Sequence, residues 1–300
     1  MQKKSSLKVV TLLLLLLLLI PVAAKATVVR MQTSLGVIDL KLYDLQVRNT
    51  VSNFLNYVNR GAYNGTLIHR SDPRNSLYPR GVGVIQGGGY VWNNSGTQVL
   101  AIPTNLPIAN EFSALRPNVR GTIAMAKAGG NPDSATSQWF VNMVDNTTVL
   151  GVSNNGGFTV FGEVMANGMA VVDAIAALTR VNAGGAFATL PVINLPLDHI
   201  LRPENTVLVR SAAVLPTTST ATSEDRLFNY LEAQFFEYIA PASQPSATAY
   251  GYYFRYYPQT VSYLGIKDGM LYYAGPASGG SILELGSVQD WLATAIAAGY

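Results

Sequence analysis

Tyr63-Asn64-Gly65-Thr66-Leu67-Ile68-His69-Arg70 is an apolar, β-branched run that ends on a guanidinium. A strand suits such a run, and a charge at its end is costly unless it has work to do. Sixteen residues on comes Gln86-Gly87-Gly88, then Met125-Ala126-Lys127-Ala128, Ser137-Gln138-Trp139-Phe140 and Phe158-Thr159-Val160-Phe161-Gly162. One cation, two amides and a set of apolar side chains are the parts of a non-covalent peptide site. The stretch from Gly61 to Gly162 therefore organises the reading of the rest.

On the N-terminal side, 27–33 reads as a strand and Ser34-Leu35-Gly36 as a tight turn. Ile38, Leu40 and Leu42 alternate with Asp39 and Lys41, the period of a half-buried strand. Asn49-Thr50 is a candidate helix cap, with Val51, Phe54, Leu55 and Val58 at i, i+3, i+4, i+7 and Gly61 as the stop. Ser71 to Gly83, rich in Pro, Arg and Gly, reads as a loop. Gly81-Val82-Gly83 lacks the spacing and the following helix of a phosphate-binding loop. Short strands are expected at 84–86, 121–128, 138–143, 158–164 and 207–214, with a second helix over 169–178. About eight strands with one helix near each end fit a closed antiparallel barrel whose ends the helices cap.

Composition sets limits. The chain has 300 residues, 49% hydrophobic and only 12% charged, enough for two domains. Lys3, Lys4 and Lys8 precede an apolar run from Val9 to Ile20 that Pro21 breaks, and Ala24-Lys25-Ala26 offers a small-x-small cleavage site. We read 1–26 as a signal peptide, because a twelve-residue run, apolar apart from Thr11, falls short of the roughly 20 a spanning helix needs. Without the four lysines of this leader, 16 basic residues face 17 acidic ones, which gives no electrostatic footprint for nucleic acid. Cysteine is absent, so disulfides, thiol chemistry and Cys-based zinc sites are excluded, and with histidine limited to His69 and His199 a His-rich metal site is not expected. The chain is expected to be exported, periplasmic or secreted from a bacterium, with no membrane contact after cleavage, and monomeric.

Thr217 to Ser223 is a low-complexity polar linker, placed within 215–224. Beyond it, eleven of the sixteen tyrosines lie between Asp225 and Tyr300, a shift that marks a separate small α+β domain over 225–300. A helix capped near Thr222-Ser223 should gather Leu227, Tyr230, Leu231 and Phe235 on one face. Strands are expected at 250–257, 261–266, 270–273 and 281–285, then a helix over 288–298. The tyrosines are expected mainly on a strand face packed against this domain's own helices.

Tyr63-x-Gly-Thr-x-x-His-Arg, Gln-Gly-Gly, Met-Ala-x-Ala, Ser-Gln-x-Phe and Val-Phe-Gly, in this order, resemble the cyclophilin-type peptidyl-prolyl cis-trans isomerases over 27 to about 213, within a domain read as 27–214. The resemblance implies an eight-stranded barrel capped by two helices, which agrees with the strand count. It implies that Arg70 is the catalytic arginine, and that Gln86, Gln138 and the main chain of Ala126 contact the substrate backbone. Phe140, Leu150 and Phe158 would wall the proline pocket. The substrate would be a Pro-containing segment of a client protein, with no cofactor, metal, nucleophile or general base. His69 reads as a buried, hydrogen-bonded framework residue. The Tyr-rich tail resembles a small domain appended to exported bacterial proteins, with no activity attached.

Three departures stand out. Gly83 and Val84 occupy positions where this family carries an aromatic and a methionine, and Val149 stands where an aromatic is common. The loop after Arg70 is about eight residues longer than usual, so Leu77 or Tyr78 is a candidate to refill the pocket. Losing two large apolar walls costs roughly 1.5–3 kcal/mol each in proline binding. A weakly active or inactive proline-peptide binding module or chaperone is thus the alternative to a working isomerase. The catalytic reading also asks that the Arg70 guanidinium not be locked in an internal ion pair. A Ser-His-Asp hydrolase built on Asp198-His199 is disfavoured, since neighbouring residues orient poorly as a triad and no Gly-x-Ser-x-Gly elbow occurs.

Overall fold

A computed structural model of the chain describes residues 26–74, 82–165, 167–215, 222–239 and 246–300. The expected leader apart from Ala26, the candidate wall residues Leu77 and Tyr78, and linker positions 216–221 lie outside the described residues.

The protein is mainly β. Eleven strands form one curled antiparallel sheet in the order β4-β5-β9-β8-β10-β2-β1-β13-β3-β6-β7. They are β1 (Val28–Thr33), β2 (Gly36–Leu42), β3 (Thr66–Leu67), β4 (Arg70–Asp72), β5 (Val84–Gly87), β6 (Tyr90–Trp92), β7 (Val99–Ala101), β8 (Thr122–Met125), β9 (Trp139–Asn142), β10 (Val160–Val164) and β13 (Leu208–Val214). The strands β11 (Thr179–Val181) and β12 (Leu190–Val192) make a separate hairpin. The single run expected through Arg70 is divided: β3 pairs with β13, whereas β4 pairs with β5. The β6–β7 and β11–β12 hairpins were not expected, because runs of three residues carry too little periodicity to be seen.

Two helices lie on the core of this sheet, α1 (Arg48–Asn59) and α2 (Gly168–Ala177). The buried face of α1 is Val51, Phe54, Tyr57 and Val58, with Leu55 only partly covered. Phe54 packs on Tyr63 and Phe161 at ring separations of 5.4 and 4.9 Å. Neither Asn49 nor Thr50 caps α1; the helix begins earlier, and its N-cap Val47 has no side-chain bond to give. The carboxylate of Glu111 fills the role from a distant loop, accepting from the Thr50 N–H at 2.8 Å and the Thr50 hydroxyl at 2.7 Å. An anion at free helix N–H groups satisfies donors that the helix itself cannot.

A second, five-stranded antiparallel sheet follows: β14 (Ala247–Ala249), β15 (Tyr252–Tyr257), β16 (Ser262–Lys267), β17 (Met270–Ala274) and β18 (Ile282–Ser287). It is accompanied by α3 (Ser223–Gln234) and α4 (Val288–Ala297). Thr222 caps α3 as expected, its hydroxyl accepting from the Asp225 N–H at 3.1 Å. Leu227, Tyr230 and Leu231 are buried, but Phe235 falls past the last turn and is exposed. Tyr257 and Tyr273 are buried in the cluster with α3, and Tyr253 stacks on Phe228. Tyr256 instead packs on Tyr263, and Tyr252 on Tyr272. The tyrosines therefore divide between two environments, because successive strand residues point to opposite sides.

The two sheets share a core. Val37 and Met165 of the curled sheet belong to the same buried cluster as Leu227, Phe228 and Leu231. Through it runs a polar chain: Arg30 grips Asp39 by two bonds of 2.8 Å and also pairs with Glu232 of α3. Glu232 in turn accepts from Arg255 at 2.7 Å, and the Tyr300 hydroxyl donates to Asp39.

Candidate active site

Strand register brings the site together. Arg70 lies opposite Gln86, Gln86 opposite Phe140, and Phe140 opposite Ala124, so one row of side chains crosses β4, β5, β9 and β8. Directly opposed residues share a face and sit about 4.5–5.5 Å apart. The row one residue along, Ser71, Ile85, Val141 and Ile123, is fully or almost fully buried, and its apolar members belong to the main core. The functional row therefore lies on the opposite, outer face.

A continuous polar string occupies one end of that row. Arg70 Nη1 donates to Gln86 Oε1 at 3.2 Å, and Gln86 Nε2 donates to Gln138 Oε1 at 2.8 Å. Arg70 Nη2 also donates to Asp72 at 2.7 Å, an ion pair between side chains 39% and 24% exposed. The guanidinium is therefore not free of an internal ion pair. A guanidinium carries five N–H donors, however, and these two contacts leave others available on an open face. Among the described residues its partners are a carboxylate and an amide.

At the other end Phe140, Leu150, Val84, Ala124 and Val160 form an apolar cluster, with Phe158 and Ala126 at its edge. Phe140 and Phe158 meet edge to face at 5.8 Å. Lys127 lies over the Phe158 ring at 4.9 Å and donates to the Asn155 and Gly157 carbonyls at 2.7 and 2.5 Å, which holds the approach to Phe158. The Ala126 N–H is committed to the Gln138 carbonyl at 2.9 Å. All seven residues singled out from the sequence thus lie in or beside one outer-face patch.

The departures are structural as well. Gly83 has φ +73°, and a Cβ there would come within 2.3 Å of Val144, so this position admits no wall residue without movement of its neighbour. Val149 is exposed and lies outside the apolar cluster around Phe140. Gly88, at φ +78°, lets the chain after Gln86 pass over the Trp139 indole, where a Cβ would fall 2.7 Å from Nε1. The Tyr63 hydroxyl donates to the Ser137 carbonyl at 2.7 Å, which fixes the strand just before Gln138.

His69 is buried beneath this patch against Tyr90 and Phe187. Burial lowers its pKa to about 4, and the neighbouring Arg70 charge works in the same direction, so the ring is neutral. Its Nδ1 has no close partner among the described residues, but hydrogen bonds with the Leu67 backbone and the Gln138 side chain partly offset the lowering, in keeping with a framework role. Asp198 pairs with Arg202 at 2.6 Å, in keeping with the case against a hydrolase at Asp198-His199. Asp72 falls within 71–83, whose Pro and Gly content reads as loop, and so is not among the site residues expected from sequence. The signal was there: Arg-x-Asp at i and i+2 of a strand share a face.

A guanidinium and two amides stand beside an apolar cluster, an arrangement that suits non-covalent contact with a peptide. Residues 28–194 match the family model described as cyclophilin type peptidyl-prolyl cis-trans isomerase/CLD. The chain belongs to that family and is an isomerase. It is 42% identical over 150 residues to a peptidyl-prolyl cis-trans isomerase of Acinetobacter baylyi, covering 50% of this chain and 72% of the relative. It is 37% identical to peptidyl-prolyl cis-trans isomerase A of Dickeya dadantii, over 60% of this chain and 83% of the relative. Against peptidyl-prolyl cis-trans isomerase B of Escherichia coli the identity is 40%, over 52% and 88%.

Proposed function

We propose that this protein turns X–Pro bonds of exported client proteins between cis and trans, with Arg70 as the catalytic residue. Peptide-bond rotation faces a barrier of roughly 18–20 kcal/mol because it breaks amide resonance. The half-turned bond has a more basic proline nitrogen and a carbonyl without conjugation. A donor aimed at that nitrogen stabilises the turned form above either planar one, which is what catalysis requires. Arg70 is permanently charged and its planar fork suits the task. In this reading Phe140, Leu150 and Phe158 hold the pyrrolidine ring, while Gln86, Gln138 and the Ala126 main chain hold the flanking backbone.

The observation that carries the proposal is the aligned row of Arg70, Gln86 and Phe140, which sets cation, amide and ring wall side by side. The curled sheet is read as the family's eight-stranded barrel, closed through 66–72, with 225–300 as an appended unit. Export rests on the leader pattern in 1–26, and monomeric action on Pro-containing segments completes the reading.

A protease-coupled assay on a Pro peptide tests it. One charge-assisted hydrogen bond is worth roughly 1.5–3 kcal/mol, so Arg70→Ala should lose about 10- to 100-fold in kcat/KM. Equal rates in both proteins would remove the enzymatic mechanism. The side-chain-free position at Gly83 and the exposed Val149 favour a second reading, a weakly active holder of Pro segments. That reading predicts peptide binding that survives Arg70→Ala with negligible turnover in either protein.

A further inference from the structure

Alternation along β4 turns Ser71 inward and leaves Arg70 and Asp72 side by side on the outer face. Asp72 is held in place by the strand itself: it is paired with Val84, and its carbonyl accepts from the Gly83 N–H at 2.7 Å. Gly83 contributes no side chain, so nothing from that position packs on the Arg70 stem. A long, 39% exposed arginine has many rotamers open to it, and ordering it on peptide binding carries an entropy penalty. Here the guanidinium is anchored before any peptide arrives, by Asp72 on Nη2 and by Gln86 on Nη1.

The anchoring has a chemical consequence further along. A guanidinium has only donors, so the Gln86 atom facing it must be Oε1. Gln86 Nε2 then points to Gln138, which must answer with its own Oε1, at 2.8 Å. The Gln138 amide is packed against Gly89 and also hydrogen-bonds the His69 ring, so the donors that remain for a ligand are the unused N–H groups of Arg70. The direction of the string is thus set at its charged end.

We propose that Asp72 is a positioning residue of the isomerase site: it fixes the Arg70 guanidinium and, through it, which Arg70 donors face a bound X–Pro segment and which way the Gln86 and Gln138 amides are turned. This rests on the reading of Arg70 and the two glutamines as the catalytic and backbone-holding groups. Asp72 acts through Arg70 and touches no substrate.

The test uses the full chain and a chromogenic Ala-Pro peptide in the protease-coupled assay, with Arg70→Ala, Asp72→Ala and Asp72→Asn beside wild type. Asp72→Ala is expected to lower kcat about tenfold with KM changed less than twofold, as Arg70 wanders among rotamers. Asp72→Asn keeps an oxygen for Nη2 without the charge, and should recover at least a third of the wild-type kcat. Selective 15N-arginine NMR supplies the second readout: separate, slowly exchanging Nη signals for Arg70 in wild type, merged in Asp72→Ala. If Asp72→Ala does not fold, Asp72→Ser, too short to reach the guanidinium, takes its place with the same expectations. Wild-type or faster turnover in the folded Ala or Ser variant, with Arg70→Ala inactive, overturns the role of Asp72 alone. Full activity in Arg70→Ala overturns the reading beneath it.

Discussion

His69 shows how a residue in the most informative stretch can serve the fold and still be read through pH. Its ring is buried, with a pKa lowered to about 4 chiefly by burial. A histidine held neutral in the folded chain but free to charge near 6.5 when unfolded stabilises the protein fully above that pH. The contribution is lost as pH falls from about 6.5 towards 4, where the unfolded chain binds the proton first. We expect the unfolding free energy from urea melts to fall across this window by an amount on the order of 2 kcal/mol in wild type, and His69→Gln to flatten that slope. Gly83 is a second case at this scale. Gly83→Ala should lower stability by about 1–3 kcal/mol, since it puts a Cβ on Val144 at a positive φ, and a melting curve reads the change directly. The same contact explains why an aromatic cannot simply be restored there.

Helix α1 depends on a partner that its own sequence does not contain. Glu111 serves the N–H and hydroxyl of Thr50 across sixty-one residues of chain, so the loop at 110–112 and the helix are tied together. Glu111→Ala should cost about 1 kcal/mol in the unfolding free energy, with a larger loss excluded by the ordinary size of a cap. The strands behave likewise. The β4–β5–β9–β8 row is legible only once register is known, because each strand has just three or four residues. From sequence, Arg70, Gln86 and Phe140 were placed together by resemblance. In the structure they meet because each lies directly opposite the next.

Across the whole molecule the curled sheet and the C-terminal sheet are joined by charge as well as by apolar packing. Burial alone would weaken the charge on Arg30, but Asp39 and then Glu232 more than reverse it, so it stays protonated. Arg30→Met would leave Asp39 and Glu232 buried, with the other Glu232 contact still made by Arg255. Breaking a buried pair from one side typically costs 3–5 kcal/mol. We expect that loss in urea, and we expect wild type to unfold in one step as seen by Trp139 in the curled sheet and Trp291 in α4. In Arg30→Met the two signals should separate. Coincident transitions in the variant would show that apolar contacts alone couple the sheets.

The residue order alone determined the β-rich fold class, both C-terminal helices and the break in composition near 217–223, and through its family resemblance it pointed to seven residues as one site. Alternation, turn chemistry and motif order are local properties, and they survive without knowledge of neighbours. Tertiary structure alone decided that Asp72 holds Arg70, that Glu111 caps α1, that Val144 occupies the space beside Gly83, and that Arg30 reaches α3. Each of those contacts depends on strand register, on chain distance or on the volume left by another side chain, and none of these quantities is written in a one-dimensional pattern.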